Sequence, residues 1–153
     1  MLRRILIVED NPVKLDKITD LFEGLISDLY IDKAESFNSA WSKLQLNKGQ
    51  YDLIILDLSL PLFDASISNN SDEFRTLGGK ELANKLVKRK VKTPFIFLTA
   101  YSVFDDKVYK YTFEDLKLEL SEKYPEQCLG FIYFNNKSSE WRKEIEVSIK
   151  GLL

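Results

Sequence analysis

YDLIILDLSLP, residues 51–61, decides the reading of the fold. Its centre, Leu53-Ile54-Ile55-Leu56, is an unbroken apolar run that ends at one carboxylate, Asp57, and Pro61 turns the chain out into a loop. An apolar run with no polar alternation predicts a strand covered on both faces, as in a parallel sheet with helices above and below it. Such sheets bind ligands at the carboxyl ends of their strands, where Asp57 stands. An acid in that place is a site or a cap.

The stretch LRRILIV, residues 2–8, repeats the grammar: a buried run, Ile5-Leu6-Ile7-Val8, leads into Glu9-Asp10-Asn11-Pro12. Two strands therefore bring three carboxylates, Glu9, Asp10 and Asp57, to one edge of one sheet. Uncompensated acids a few ångströms apart repel each other, so a proton or a cation belongs among them. A hard divalent ion with oxygen ligands fits, Mg²⁺ best, because it accepts a few carboxylates and keeps its other positions for water and phosphate oxygens.

Between and beyond these strands the pattern alternates. Pro12 opens a helix with Leu15, Ile18, Leu21, Phe22 and Leu25 on one stripe. Residues 30–34 form a short strand, and Ser36 caps a helix that turns Phe37, Ala40, Trp41 and Leu44 to one face before Asn47-Lys48-Gly49 stops it. A third helix, from Lys80 to about Lys90, points Leu82, Ala83, Leu86 and Val87 inward; Pro94 then leads into Phe95-Ile96-Phe97-Leu98, closed by Thr99-Ala100. Thr112 and Asp115 form a capping box for a helix over 112–124. A fifth strand covers 129–134, and Ser138 or Ser139 caps a last helix with Trp141, Ile145, Ile149 and Leu152 as its stripe. Strands alternating with helices imply right-handed βαβ crossovers, hence an α/β, flavodoxin-like, doubly wound parallel sheet of five strands with helices on both faces.

Composition narrows the function. At 153 residues the expectation is one domain. Lys and Arg number 22 against 24 Asp and Glu, a net charge of −2, so no global basic field argues for nucleic acid; the lysines of the third helix read as a solvated face. No apolar run reaches membrane-spanning length and no signal peptide follows Met1, so a cytoplasmic protein without a membrane partner is expected. Cys128 reads as a small core residue. With no histidine, the chain cannot donate a phosphoryl group from imidazole, and triads and His-ligated zinc are excluded.

ILIVEDNP with the helix after it, then IILDLSLP, then PFIFLTA, resembles the receiver domain of two-component response regulators along almost the whole chain. The resemblance implies the strand order 2-1-3-4-5. It implies that Glu9 and Asp10 hold Mg²⁺ together with Asp57 and the Ser59 carbonyl, and that Asp57 accepts the phosphoryl group. Thr99 would contact that group, Lys137 would supply the final cation, Phe134 would switch with Thr99, and Ser59 and Tyr101 would tune dephosphorylation, with the bulk of Tyr101 shielding the acyl phosphate. The implied partners are a sensor histidine kinase or histidine phosphotransfer protein and a downstream protein effector.

Three places depart from the family. Residues 62–77, polar around Asn69-Asn70-Ser71-Asp72, read as a long loop beside the site, either a solvated insertion or a lid. Residues 104–125 exceed the usual fourth helix, and the stretch YSVFDDKVYKY, 101–111, reads as a short helix or an ordered loop. Lys137 is followed by Ser138 where the family has proline. Two alternatives to the phosphoacceptor follow: a phosphorylation-independent module of the same fold, and a Mg²⁺-dependent phosphohydrolase or nuclease using the same acids.

Overall fold

β3 (Leu53–Leu56), the apolar run, is fully buried between two parallel neighbours. In the computed structural model, which describes residues 1–47, 50–64, 77–105 and 110–153, β1 (Arg3–Val8) lies on one side of it and β4 (Phe95–Thr99) on the other. β2 (Leu29–Ala34) pairs with β1, and β7 (Cys128–Tyr133) with β4. The five-stranded sheet runs β2-β1-β3-β4-β7, the expected 2-1-3-4-5 order with β7 as its fifth strand.

Strand alternation divides the core in two. Ile5, Ile7, Leu53, Ile55, Ile96 and Leu98 pack with α1 (Pro12–Leu25) and α5 (Glu140–Ser148) through Ile18, Phe22, Trp141 and Ile145. Leu6, Val8, Ile54, Leu56, Phe95 and Phe97 face α2 (Phe37–Leu46), α3 (Gly78–Lys88) and α4 (Phe113–Lys123) through Leu44, Leu82, Leu86 and Leu116. Both faces are dry, which explains why the strands carry no polar alternation. Leu25, Val87 and Leu152, read from periodicity as inward, are exposed, because each lies at or beyond the end of its helix, where the stripe runs off the sheet.

The caps follow the sequence. Asn11 Oδ1 accepts the amides of Val13 and Lys14, Ser36 and Thr112 form capping boxes with Ser39 and Asp115, and Ser138 Oγ accepts the amide of Glu140 at the start of α5. Among its described residues, the stretch before α4 is neither the short helix nor the ordered loop expected. It is an antiparallel hairpin, β5 (Val103–Asp105) and β6 (Lys110–Thr112), with Phe104 opposite Tyr111. Period-two spacing wins here because Phe104 buries while Val103 stays exposed. The expected 62–77 loop falls mostly outside the described residues, as do Lys48 and Gly49; its two ends meet where Leu60 bridges Leu77.

An edge network ties β2 to α2. Asp32 accepts hydrogen bonds from Lys43 at 2.5 Å and from the Tyr51 hydroxyl at 2.6 Å. Burial alone would raise the Asp32 carboxyl, but these two donors and the Lys43 charge outweigh it and hold the group below its ordinary value of 3.8. A carboxyl with a lowered folded value stabilises the fold above the unfolded value and stops doing so as the pH falls through the folded one. Tyr51→Phe should therefore cost about 1 kcal/mol at neutral pH. In acid-unfolding curves followed by circular dichroism, that difference should shrink as the pH drops below 3.8.

Gly79 fixes the approach of α3 to the loop after β3. A Cβ there would stand 1.9 Å from the Asp57 carbonyl oxygen, and one on Gly78 2.7 Å from that of Leu60, so neither position admits a side chain without moving backbone. Gly79→Ala should destabilise by about 3 kcal/mol in chemical denaturation. Gly24→Ala in α1, where nothing lies within 4 Å, should instead be neutral or gain up to about 1 kcal/mol.

Candidate functional site

The parallel register builds the site. Val8 pairs with Leu56, so Glu9 and Asp57 leave neighbouring strands side by side, and the Asp57 amide donates to the Val8 carbonyl at 3.0 Å. Carboxylate oxygens of Glu9, Asp10 and Asp57 lie within 4.8 Å of one another. Glu9 and Asp57 are almost wholly buried, at 2% and 3% exposure. Thr99, fully buried at the end of β4, is in register with Tyr133, and its carbonyl accepts the Phe134 amide at 2.8 Å. Ser59 is buried and donates its amide to Asp57 Oδ1 at 3.4 Å. Tyr101 is half exposed, with its ring against Phe104 at 6.3 Å.

A residue that periodicity did not single out completes the cluster. Lys14, in the first turn of α1, is 4% exposed. Its Nζ lies 2.5 Å from Glu9 Oε1 and 3.5 Å from Asp57 Oδ1, and donates to the Leu98 carbonyl at 2.6 Å. Side chains at a helix start lean back toward the N-terminus, and the Asn11 cap aims that end at the acids. The signal was present: Lys14 precedes Ile18 and Phe22 at four-residue steps on the buried stripe, and a lysine there needs an anionic reason.

The response regulator receiver domain family model matches residues 5–114. This chain belongs to the response regulator receiver domain family. The Detocs response regulatory protein DtcB of Enterobacter cloacae is 27% identical over 150 residues, covering 97% of this chain and 99% of that protein. The transcriptional regulatory protein PcoR of Escherichia coli is 36% identical over 108 residues, which is 70% of this chain and 39% of PcoR. Among solved structures, the response regulator TrrA of Thermotoga maritima superposes with a TM-score of 0.64 at 24% identity, over 99% of this chain and 100% of TrrA, a likeness of fold.

In the receiver, the loop after β7 carries Lys137 on the surface. Lys137 is exposed, its amide donates to Asn135 Oδ1 at 3.0 Å, and among the described residues it forms no ion pair. The neighbouring Asn136 is held by Lys17 of α1. Phe134 is buried against Trp141, ring centres 4.9 Å apart, with Lys14 Nζ 5.7 Å from the centre of its ring. Cys128 is half buried, and burial pushes its thiol up to about 11, as suits a packing residue.

The acids of the receiver are electrostatically unsettled. Burial, then the Asp57 charge, pushes Glu9 up to about 7 against the pull of Lys14. Burial also raises Asp57; Lys14 works against that rise, while Asp10 adds to it. Among the described residues the donor set is all oxygen, three carboxylates within 4.8 Å of one another, which fits a hard divalent cation such as Mg²⁺ held by Glu9, Asp10 and Asp57. Asp57→Asn should raise the stability of chelator-treated protein by about 1–3 kcal/mol at neutral pH, since Lys14 keeps Glu9 and the Leu98 carbonyl. Calorimetry checks this, and an unchanged or lower melting point would show that the Lys14–Asp57 pair outweighs the repulsion.

Proposed function

We propose that this receiver accepts a phosphoryl group on Asp57 from a sensor histidine kinase or a histidine phosphotransfer protein, in a Mg²⁺-dependent reaction, and signals by contact with a downstream protein. The observation that carries it is the convergence of Glu9, Asp10 and Asp57 within 4.8 Å, with Thr99 at the end of the next strand. The structure of TrrA in complex with Mg²⁺-BeF lends the metal support from a protein of the same fold. The chain has no histidine, so the donor is another molecule.

In the transfer, an Asp57 carboxylate oxygen attacks phosphorus as the bond from phosphorus to the donor's leaving atom breaks, and the electron pair departs with imidazole or, from a small-molecule donor, acetate. Mg²⁺ held by Glu9, Asp10, Asp57 and the Ser59 carbonyl would supply the charge compensation that two approaching anions require. Burial of Asp57 keeps bulk water from the carboxylate, and the bulk of Tyr101, two residues after Thr99, would shield the acyl phosphate. The Thr99 hydroxyl would donate to the new anion, and the Thr99 carbonyl already accepts the Phe134 amide. Through Phe134 the change reaches β7 and the helices beside it, where Phe113 packs edge-on to Phe131 and Tyr133 at 4.9 and 5.7 Å. That α4–β7–α5 face, preceded by the β5–β6 hairpin, is the effector surface we assign.

Intact mass after incubation with acetyl phosphate tests the reading. One phosphoryl adduct is expected on the wild type with Mg²⁺, and none with chelator or on Asp57→Asn. No adduct, in a protein that still binds Mg²⁺, would turn the assignment to a phosphorylation-independent interaction module.

A further inference from the structure

The site places its positive charge on a different element from the one the family pattern assigns. Lys137 sits in an exposed turn, its amide spent on Asn135, with Ser138 engaged at the start of α5 and Asn136 held by Lys17. Lys14 instead enters the cluster from α1, buried, with its ammonium shared among Glu9, Asp57 and the Leu98 carbonyl. We propose that Lys14 is the cation that neutralises the phosphoryl group carried by Asp57, in place of Lys137; this rests on the phosphoacceptor function above.

Three observations carry the assignment. First, lysine is almost never fully buried unless paired, and its partners here are the nucleophilic carboxylate and that carboxylate's neighbour. Second, an ammonium has three hydrogens, and the three oxygens around Nζ come from the ends of β1, β3 and β4, so the charge is held by the sheet edge itself. Third, Nζ lies 3.5 Å from Asp57 Oδ1, the closeness an ammonium needs to shift its contact from a carboxylate oxygen to an oxygen of a phosphoryl group bonded there. No proton has to leave Lys14 in that exchange. The cation stabilises the negative charge that stays on the phosphoryl oxygens as the donor's leaving group departs with its electron pair. Lys14 is on this account a catalytic residue.

A purely structural role would make Lys14 a counter-charge for Glu9 and Asp57 and nothing more. The two roles separate when phosphorylation is compared with Mg²⁺ binding. The 153-residue wild type, Lys14→Met and Lys137→Met are incubated with acetyl phosphate and Mg²⁺, adduct formation is timed by intact mass, and Mg²⁺ affinity is measured apart from it by titration of the thermal midpoint. Expected are a Lys137→Met rate within about twofold of wild type and a Lys14→Met rate lower by at least about tenfold at saturating Mg²⁺. Mg²⁺ affinity of Lys14→Met should be kept or tightened, since the acids then face no competing ammonium.

A folded Lys14→Met that phosphorylates at the wild-type rate would overturn the proposal, and so would a tenfold or greater loss in Lys137→Met. If Lys14→Met does not fold, Lys137→Met decides alone: an unchanged rate supports Lys14, the lysine the structure seats among the acids, and a loss overturns it. A wild type that takes up no phosphoryl group would overturn the phosphoacceptor function and this assignment with it. That result is distinct from a phosphorylating wild type with an indifferent Lys14.

Discussion

Three carboxylates that converge at one sheet edge repel one another, and much of this structure can be read as the means of holding them there. Glu9 and Asp57 cannot move apart, because the β1–β3 register and the Asp57 amide on the Val8 carbonyl fix their strands together. Nor can they reach water, because apolar strand residues fill the layers on both sides of the sheet. Besides taking up a proton, the acids lower their energy by drawing positive charge in, and α1 supplies it with Lys14. Three carboxylates that bring their oxygens within 4.8 Å of one another make the site receptive to a metal ion.

The surroundings serve the same end. Asn11 caps α1 by accepting the Val13 and Lys14 amides, which sets the direction of the first turn and so where the Lys14 side chain arrives. Gly79 allows α3 to start against the Asp57 carbonyl, so the loop after β3 is clamped between a strand and a helix end. Thr99 and Phe134 are joined through backbone, and the Phe134 ring lies near both the ammonium of Lys14 and the ring of Trp141. A change of charge at Asp57 therefore meets a packed aromatic pair leading to α5, a route by which local electrostatics can become a change in packing.

Much was legible because periodicity and caps are local. The continuous apolar runs of β1, β3 and β4 announced a covered parallel sheet, and Ser36, Thr112 and Pro12 marked helix starts where they occur. Helix ends were less legible: Leu25, Val87 and Leu152 continue a stripe whose sheet has run out. The β5–β6 hairpin was missed because its strands are three residues each, too short for alternation to show against helical spacing.

By itself the sequence determined the order of elements, the two apolar faces and the identity of the acids, since each depends on neighbours along the chain and on the end of a strand where a side chain falls. Tertiary structure alone decided which cation those acids meet. Lys14 and Lys137 are both lysines near a strand end in sequence; spacing puts Lys14 on the buried stripe of α1, but it does not say which oxygens the ammonium meets. One is drawn inward because its helix starts against the acids and three oxygens from three strands await its ammonium; the other is left in solvent by a turn whose polar groups are already paired. That choice rests on the burial of charge, which exists only once the strands have come together.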